Sequence, residues 1–224
     1  MSAFSRQLMV SLTCMILSVG AEAQSADVTG RFLSSIKGKC VSFPYELKST
    51  SPKRPSSLVT GSVKLQGTCY ILTFGESSLY CDGVTEWLLD NEDKELEIVQ
   101  ASGEDVCDIN VGSIMNPASI VGHLDRYFEK KSESVVTEGG QRLVRVDFVP
   151  IHLSGGALSI SSLSVWLKDV ESGPVIVRSV FQGNNGSRYE FSIPSMKKSA
   201  MLPLSVFRFD EKSLGKEWEI CDLR

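Results

Sequence analysis

Histidine is almost missing from this chain: His123 and His152 are the only two. The first falls on the polar side of a helical pattern and the second in a loop beside Pro150, and neither accompanies a nucleophile motif such as G-x-S-x-G. Acyl-transfer catalysis therefore lacks its parts. There is no C-x-x-C pair and no Cys/His ligand spacing, which removes the usual zinc and redox sites. Carboxylates gather at 90–97 and 105–108, but without the loop spacing that holds calcium, so they read as solvated edges. Positive charge is thin: the net charge is −4, and Lys53-Arg54, Lys130-Lys131 and Lys197-Lys198 are isolated pairs. No basic stripe exists for nucleic acid to follow. We expect a non-enzymatic protein with no cofactor, no metal and no nucleic-acid partner.

Long apolar runs are also scarce. Arg6 followed by the stretch Leu8 to Val19, then Ala21-Glu22-Ala23, fits a secretory signal cleaved after Ala23. A membrane anchor needs about 20 predominantly apolar residues, and this core is shorter. The expectation is an exported, soluble mature chain, 24–224, forming one domain with a substantial core. Cleavage removes Cys14 and leaves Cys40, Cys69, Cys81, Cys107 and Cys221, an odd number. Export permits disulfides, but these cysteines read as small buried hydrophobes with at most an opportunistic bridge.

What is present is strand rhythm. Val63 and Leu65 alternate with Lys64 and Gln66, and Thr68 to Phe74 continues as a neighbour. Leu79 to Cys81 and Val84 to Asp90 flank Asp82-Gly83, a pair suited to a tight turn with positive φ at both central residues. Glu95 to Val99 follows the polar turn Asn91-Glu92-Asp93. Leu143 to Val149, Leu158 to Lys168, Val175 to Gln182 and Arg188 to Ile193 are each bounded by turn residues, while Lys48 to Ser57 reads as a polar loop and Pro150 to Gly156 as an irregular connection. Helical spacing occurs in Val28, Phe32 and Ile36, between a Ser25 or Asp27 cap and Gly38. It recurs in Ile120, Val121, Leu124 and Phe128 behind Asn116-Pro117, and weakly between Glu104 and Met115. The fold class is α+β, mainly antiparallel β: a curled, half-open barrel with two or three helices covering its concave face.

Asp82-Gly83-Val84-Thr85-Glu86-Trp87 resembles the D-G-x-T-x-W turn of the periplasmic outer-membrane lipoprotein carrier family, the LolA-like proteins. Gly61-x-Val63-x-Leu65-Gln66-Gly67 before it and Asn116-Pro117 after it stand at the family's distances. Val165-Trp166-Leu167, Asp169 to Gly173, Val175 to Phe181 and Gly186-Ser187-Arg188-Tyr189 follow in the family's order. Leu202 to Asp210 resembles its P-x-S-x-F-x-F-D element, and Asp222-Leu223-Arg224 the ending of one branch. Nearly the whole mature chain is covered. The resemblance implies a half-open barrel plugged by helices. It also implies a periplasmic carrier that takes acylated lipoproteins from an inner-membrane release complex to an outer-membrane acceptor. Gly67-Thr68 departs from the family, many of whose members carry there an Arg-Pro pair whose arginine holds the lid closed.

The physics of such cargo is simple. Each acyl methylene left in water costs about 0.8 kcal/mol, so a chain of a dozen or more carbons costs on the order of ten. A carrier must enclose it with a broad apolar surface and a lid that competes with it. The candidate lining is Val63, Leu65, Leu72, Phe74, Trp87, Leu88, Val165, Leu167, Val177 and Phe191 from strands, with Phe32, Ile120, Leu124 and Phe128 from helices. Taken singly each reads as closed core, and only a contiguous unfilled surface turns them into a binding wall. Trp87 is a wall or core aromatic before it is a cargo contact. Phe207 and Phe209 should anchor the terminal segment. Two other readings stand beside the lipoprotein carrier: a shuttle for another amphiphile such as a glycolipid or pigment, and an envelope structural or adhesion module with a dry core. A monomer is expected.

Overall fold

Side-chain alternation decides which way every strand of this chain faces. The computed structural model describes residues 27–52, 54–101, 124–151 and 160–224. The proposed signal segment, Cys14, Cys107, the weak helical stretch after Glu104, Asn116, Pro117, Ile120 and both histidines lie outside the described residues.

Helix α1 (Val28–Ile36) precedes β1 (Cys40–Ser51), β2 (Arg54–Gln66), β3 (Cys69–Phe74), β4 (Ser77–Cys81), β5 (Thr85–Asp90) and β6 (Glu95–Gln100). A short α2 (Leu124–Tyr127) leads into β7 (Phe128–Glu138), then β8 (Gln141–Pro150), β9 (Ile160–Lys168), β10 (Val175–Gly183), β11 (Arg188–Ser192) and β12 (Lys197–Ser199). Two 3-10 turns, Leu204–Phe207 and Glu211–Ser213, precede β13 (Glu219–Asp222).

The described strands join one sheet in the order β13-β6-β5-β4-β3-β2-β1-β11-β10-β9-β8-β7, with β12 paired to β1 off this path; among the described residues β13 and β7 are its edges. Every pairing is antiparallel except β13 with β6. The sheet curls about α1, giving the half-open architecture expected. Strands β11 and β12 share one edge of β1: Ser42 is the last residue paired to β12, and Glu46 the first paired to β11. Pro44 falls in the gap between them, where β1 has a neighbour on one side only, so its missing N–H disrupts little.

α1 starts where the sequence placed it. The Asp27 carboxylate accepts the Gly30 N–H at 3.0 Å, satisfying an orphan donor of the first turn. Gly38, at φ +67°, provides the left-handed stop. The Asp82-Gly83 turn forms differently from expectation. Gly83 alone has positive φ, +90°, and Asp82 does not. The Asp82 N–H closes the turn on the Thr85 carbonyl at 3.2 Å, while its carboxylate accepts the N–H groups of Val84 and Thr85 at 3.0 and 2.9 Å. The stretch Lys48 to Ser57 is largely strand, since β1 and β2 pair through Ser49 and Ser57 to a tip beyond. Phe128, expected on a helix, opens β7 opposite Pro150.

One apolar cluster fills the concave face. It joins Val28 and Phe32 of α1 to Val41, Phe43, Tyr45 and Leu47, which alternate along β1, and continues through β2, β3 and β8 to β11. The convex face of the β1–β6 half has its own cover. The chain after β12 crosses it as a strap, with Phe207 sealing Cys40 and Cys69, and Phe209, Leu214 and Trp218 packing on Trp87, Leu89, Leu96 and Ile98.

Candidate functional site

The concave cluster begins with α1. Residues 28, 32 and 36 recur every four positions and form the apolar stripe; Val28 and Phe32 are fully buried. The adjacent stripe, Asp27, Arg31 and Ser35, is polar, and each of its members meets a different element. Lys130 of β7 lies 3.8 Å from Asp27. Arg31 grips Asp169 through two hydrogen bonds of 3.1 and 2.9 Å at the turn after β9. Lys198 Nζ of β12 donates to Ser35 Oγ and to the Pro174 carbonyl, both at 2.7 Å, and lies 6.0 Å over the Phe32 ring. Burial, with the nearby charge of Lys39, pushes the Lys198 ammonium below its ordinary pKa. The helix is thus greased on one stripe and tied on the next.

Beneath α1 the strands supply aromatics. Tyr45 and Phe191 stand with ring centroids 5.6 Å apart, and Phe181 meets Phe191 edge-on at 6.0 Å. The Tyr45 hydroxyl donates to the Thr73 carbonyl at 3.2 Å, and burial pushes its pKa up to about 12. Tyr70, at the margin, donates to Glu86 at 2.6 Å; burial, then the Glu86 charge, drives its phenol above the ordinary tyrosine value. These polar groups are satisfied inside an apolar wall and remain neutral at ordinary pH. The thiols are equally quiet: burial raises Cys40 and Cys69, and takes Cys81 up to about 11. Cys40, Cys69, Cys81 and Cys221 are all free.

Most of the expected lining converges, and it does so as packed core under α1 and not as an unfilled surface. Phe32, Val63, Leu65, Leu72, Leu124, Phe128, Val165, Leu167 and Phe191 all belong to the concave cluster, and Phe74 packs at its margin. Leu88, in register with Leu79 and through it with Leu72, looks to the same side and is 38% exposed. Trp87 does not join them. Its register partner is Tyr80, so it points to the convex face, where its indole N–H donates to Glu211 Oε1 at 2.9 Å under the strap. Val177 is displaced as well: it is the extra residue of a bulge between the pairs Ile176–Leu167 and Arg178–Trp166. It packs instead with Trp166, Leu143 and Val180 on the outside. Ile120 lies outside the described residues.

The site also contains residues that sequence reasoning passed over. Phe43, Tyr45 and Leu47 alternate legibly, and Val144, Val146 and Phe148 of β8 do the same. Arg31 and Ser35 were visible as a four-residue repeat from Asp27. For Asp169 and Lys198 there was no local signal, because their partners are far away in the chain. Gly67-Thr68 forms the turn between β2 and β3. Among the described residues no cluster of His, Cys, Asp and Glu suits a metal ion, and no helix is long and apolar enough to cross a membrane.

Comparison with known proteins gives likeness of fold at low identity. No family model and no curated protein matches the chain. A LolA superfamily protein from Nitrosomonas europaea is similar at 10% identity and a TM-score of 0.43, over 83% of this chain and 97% of that one. A DUF1329 family protein from Desulfovibrio piger is similar at 9% identity and a TM-score of 0.46, over 84% and 97%. An outer membrane lipoprotein-sorting protein domain from Vibrio parahaemolyticus is similar at 11% identity and a TM-score of 0.41, over 83% and 96%.

Proposed function

We propose that this chain is a periplasmic carrier that holds the acyl chains of a lipoprotein against its concave face, in place of α1, on the way to the outer membrane. The observation that supports this reading most is the pairing of a continuous apolar concave cluster with a nine-residue helical cover. A helix of that length is marginal by itself and owes its stability to the surface beneath it. Two polar ties must let go with it: the Arg31–Asp169 pair is about half exposed on both sides, and such pairs contribute about 0–1 kcal/mol, and the second is the bond from Lys198 to Ser35. An acyl chain that replaces α1 on the same apolar wall exchanges like for like, so cover and cargo compete on nearly equal terms. Release at an acceptor then needs no chemistry, in keeping with the neutral, satisfied polar groups of the wall.

Export through the proposed signal segment and transfer between an inner-membrane release complex and an outer-membrane acceptor belong to the same proposal. The experiment is mass spectrometry of lipid extracted from protein purified from its native envelope, with uptake of a fluorescent fatty acid by the delipidated chain. Acylated peptides in the extract and displaceable probe uptake are the expected results. Recovery of a different amphiphile would redirect the cargo assignment, and an empty extract with no probe uptake would overturn the carrier reading.

A further inference from the structure

On the convex side the strap between β12 and the second 3-10 turn carries a second, unrelated pattern. Leu202 and Phe207 turn inward to the sheet, whereas Met201, Leu204 and Val206 turn outward and are 59%, 58% and 37% exposed. Three apolar side chains within six residues of chain stand on the surface together, and no apolar cluster of the described residues includes them. Isolated exposed apolars are ordinary; a contiguous set framed by charge marks a contact surface.

The frame is basic. From Phe191 to Phe209 the chain has Lys197, Lys198 and Arg208 and no acid, although the protein as a whole is at −4. Lys198 is consumed by Ser35 and Pro174. Lys197 and Arg208 are exposed, and no carboxylate of the described residues pairs with either. Ser42 pairs in register with Lys197 on one side and Lys64 on the other, so three adjacent strands set a Lys-Ser-Lys row beside the strap. An open groove of about 400 Å³ runs there, lined by Lys64, Lys197, Ser42, Ser62 and Ser195 over Ile71. Its lining contains no carboxylate. The next acids along the strap, Asp210 and Glu211, share a pocket with Arg208 and Lys212 and keep their charge, so the part of the frame free of acid is the lysine row at Lys64 and Lys197.

We infer that this face docks on an anionic lipid bilayer: Met201, Leu204 and Val206 enter the interface, while Lys64, Lys197 and Arg208 meet lipid phosphates. Charge complementarity selects a bilayer as the occupant. Apolar tips ringed by unpaired cations and hydroxyls match a surface that is greasy below a layer of negative headgroups. The strap is fastened to the sheet by Phe207 and by Gln66, so a pull on these tips is carried by the scaffold and leaves α1 untouched. The inference goes beyond the carrier reading and stands without it, since an empty chain docks equally well.

Co-sedimentation of the full chain with vesicles tests it, using phosphatidylcholine alone and phosphatidylcholine mixed with phosphatidylglycerol. The expected result is sedimentation with the anionic vesicles, weakened by salt and about fivefold weaker for each of Lys64→Gln, Lys197→Gln and Arg208→Gln. Leu204→Ser with Val206→Ser, both on the surface and so without effect on the circular dichroism, weakens it as well. Absence of sedimentation at low salt overturns the inference. So does binding that the triple glutamine variant retains in full, which assigns the contact to another segment. Lipid extraction from the same variants separates the two proposals, because acyl cargo is held on the opposite face.

Discussion

Gln66 and Leu202, far apart in the chain, exchange two hydrogen bonds: Gln66 Nε2 donates to the Leu202 carbonyl at 2.9 Å, and the Leu202 N–H donates to Gln66 Oε1 at 2.7 Å. Gln66 is 3% exposed, the end residue of β2 turned out toward the strap. A primary amide, on glutamine or asparagine, carries an N–H donor and a carbonyl acceptor side by side and so can bond both main-chain groups of one residue. The pair therefore fixes the register at which the strap crosses the convex face, and Phe207 and Phe209 fall into place behind it.

Replacement of Gln66 by leucine keeps the bulk and removes both bonds, leaving a half-buried N–H and carbonyl unpaired. The expected loss is about 1–3 kcal/mol, read as a lower urea midpoint at unchanged slope. An unchanged midpoint would show that the strap is held by its aromatics alone.

The sequence made the end of β2 from Val63, and β3 to β6, readable because alternation and turn residues agreed there. The second half of β1 was harder, since the polar run from Lys48 to Ser57 argues for a loop, whereas Phe43, Tyr45 and Leu47 before it alternate and Pro44 sits where β1 has one neighbour. Phe128 continues the four-residue spacing of a helix, yet pairing with Pro150 prevails over that local pattern. Val177 follows strand alternation until a bulge, which has no composition signal here, inverts it. Trp87 was placed on the wrong face because one strand's pattern gives two faces without saying which is inside; the register through Leu79 and Leu72 decides. The parallel strand β13 is exposed along its whole length, and its four residues, Glu219 to Asp222, are too few to show an alternation.

Tyr45 offers a pH test of the concave wall. Its folded pKa, about 12, lies above the ordinary tyrosine value of 10.0, so folding favours the neutral phenol. The contribution to stability is complete below pH 10 and disappears as pH rises from about 10 to about 12. Alkaline denaturation midpoints should therefore fall in that window for the native chain and fall less for Tyr45→Phe. Phenolate absorbance rising fully near pH 10 without unfolding would contradict a buried Tyr45.

Gly83 tests the turn that follows β4. At φ +90° a β-carbon is strained, and it would also stand 3.0 Å from Thr68 Oγ1. Gly83→Ala should cost about 1–3 kcal/mol by thermal or urea unfolding. Gly75→Ala, at φ +54° with open space around the added carbon, is the control for backbone strain without the contact. Equal losses at the two positions would assign the whole effect to the backbone.

Arg31 and Phe32 are neighbours on α1 with opposite duties, and the carrier reading requires that they be separable. Phe32 is fully buried in the concave cluster, so Phe32→Ala should cost about 3–5 kcal/mol and lower global stability. Arg31→Gln removes only the half-exposed pair with Asp169, within about 1 kcal/mol, and leaves the Lys198 bridge from Ser35 to Pro174 to hold the helix against the turn after β9. In hydrogen exchange, α1 amides of Arg31→Gln should exchange faster while those of β1, β9 and β10 keep their native protection, the signature of a cover that opens by itself. Fatty-acid probe uptake should speed up in parallel. Amides of α1 that exchange only with the sheet, in both proteins, would mean that helix and wall are one cooperative core, and the concave face would have no way to admit a chain.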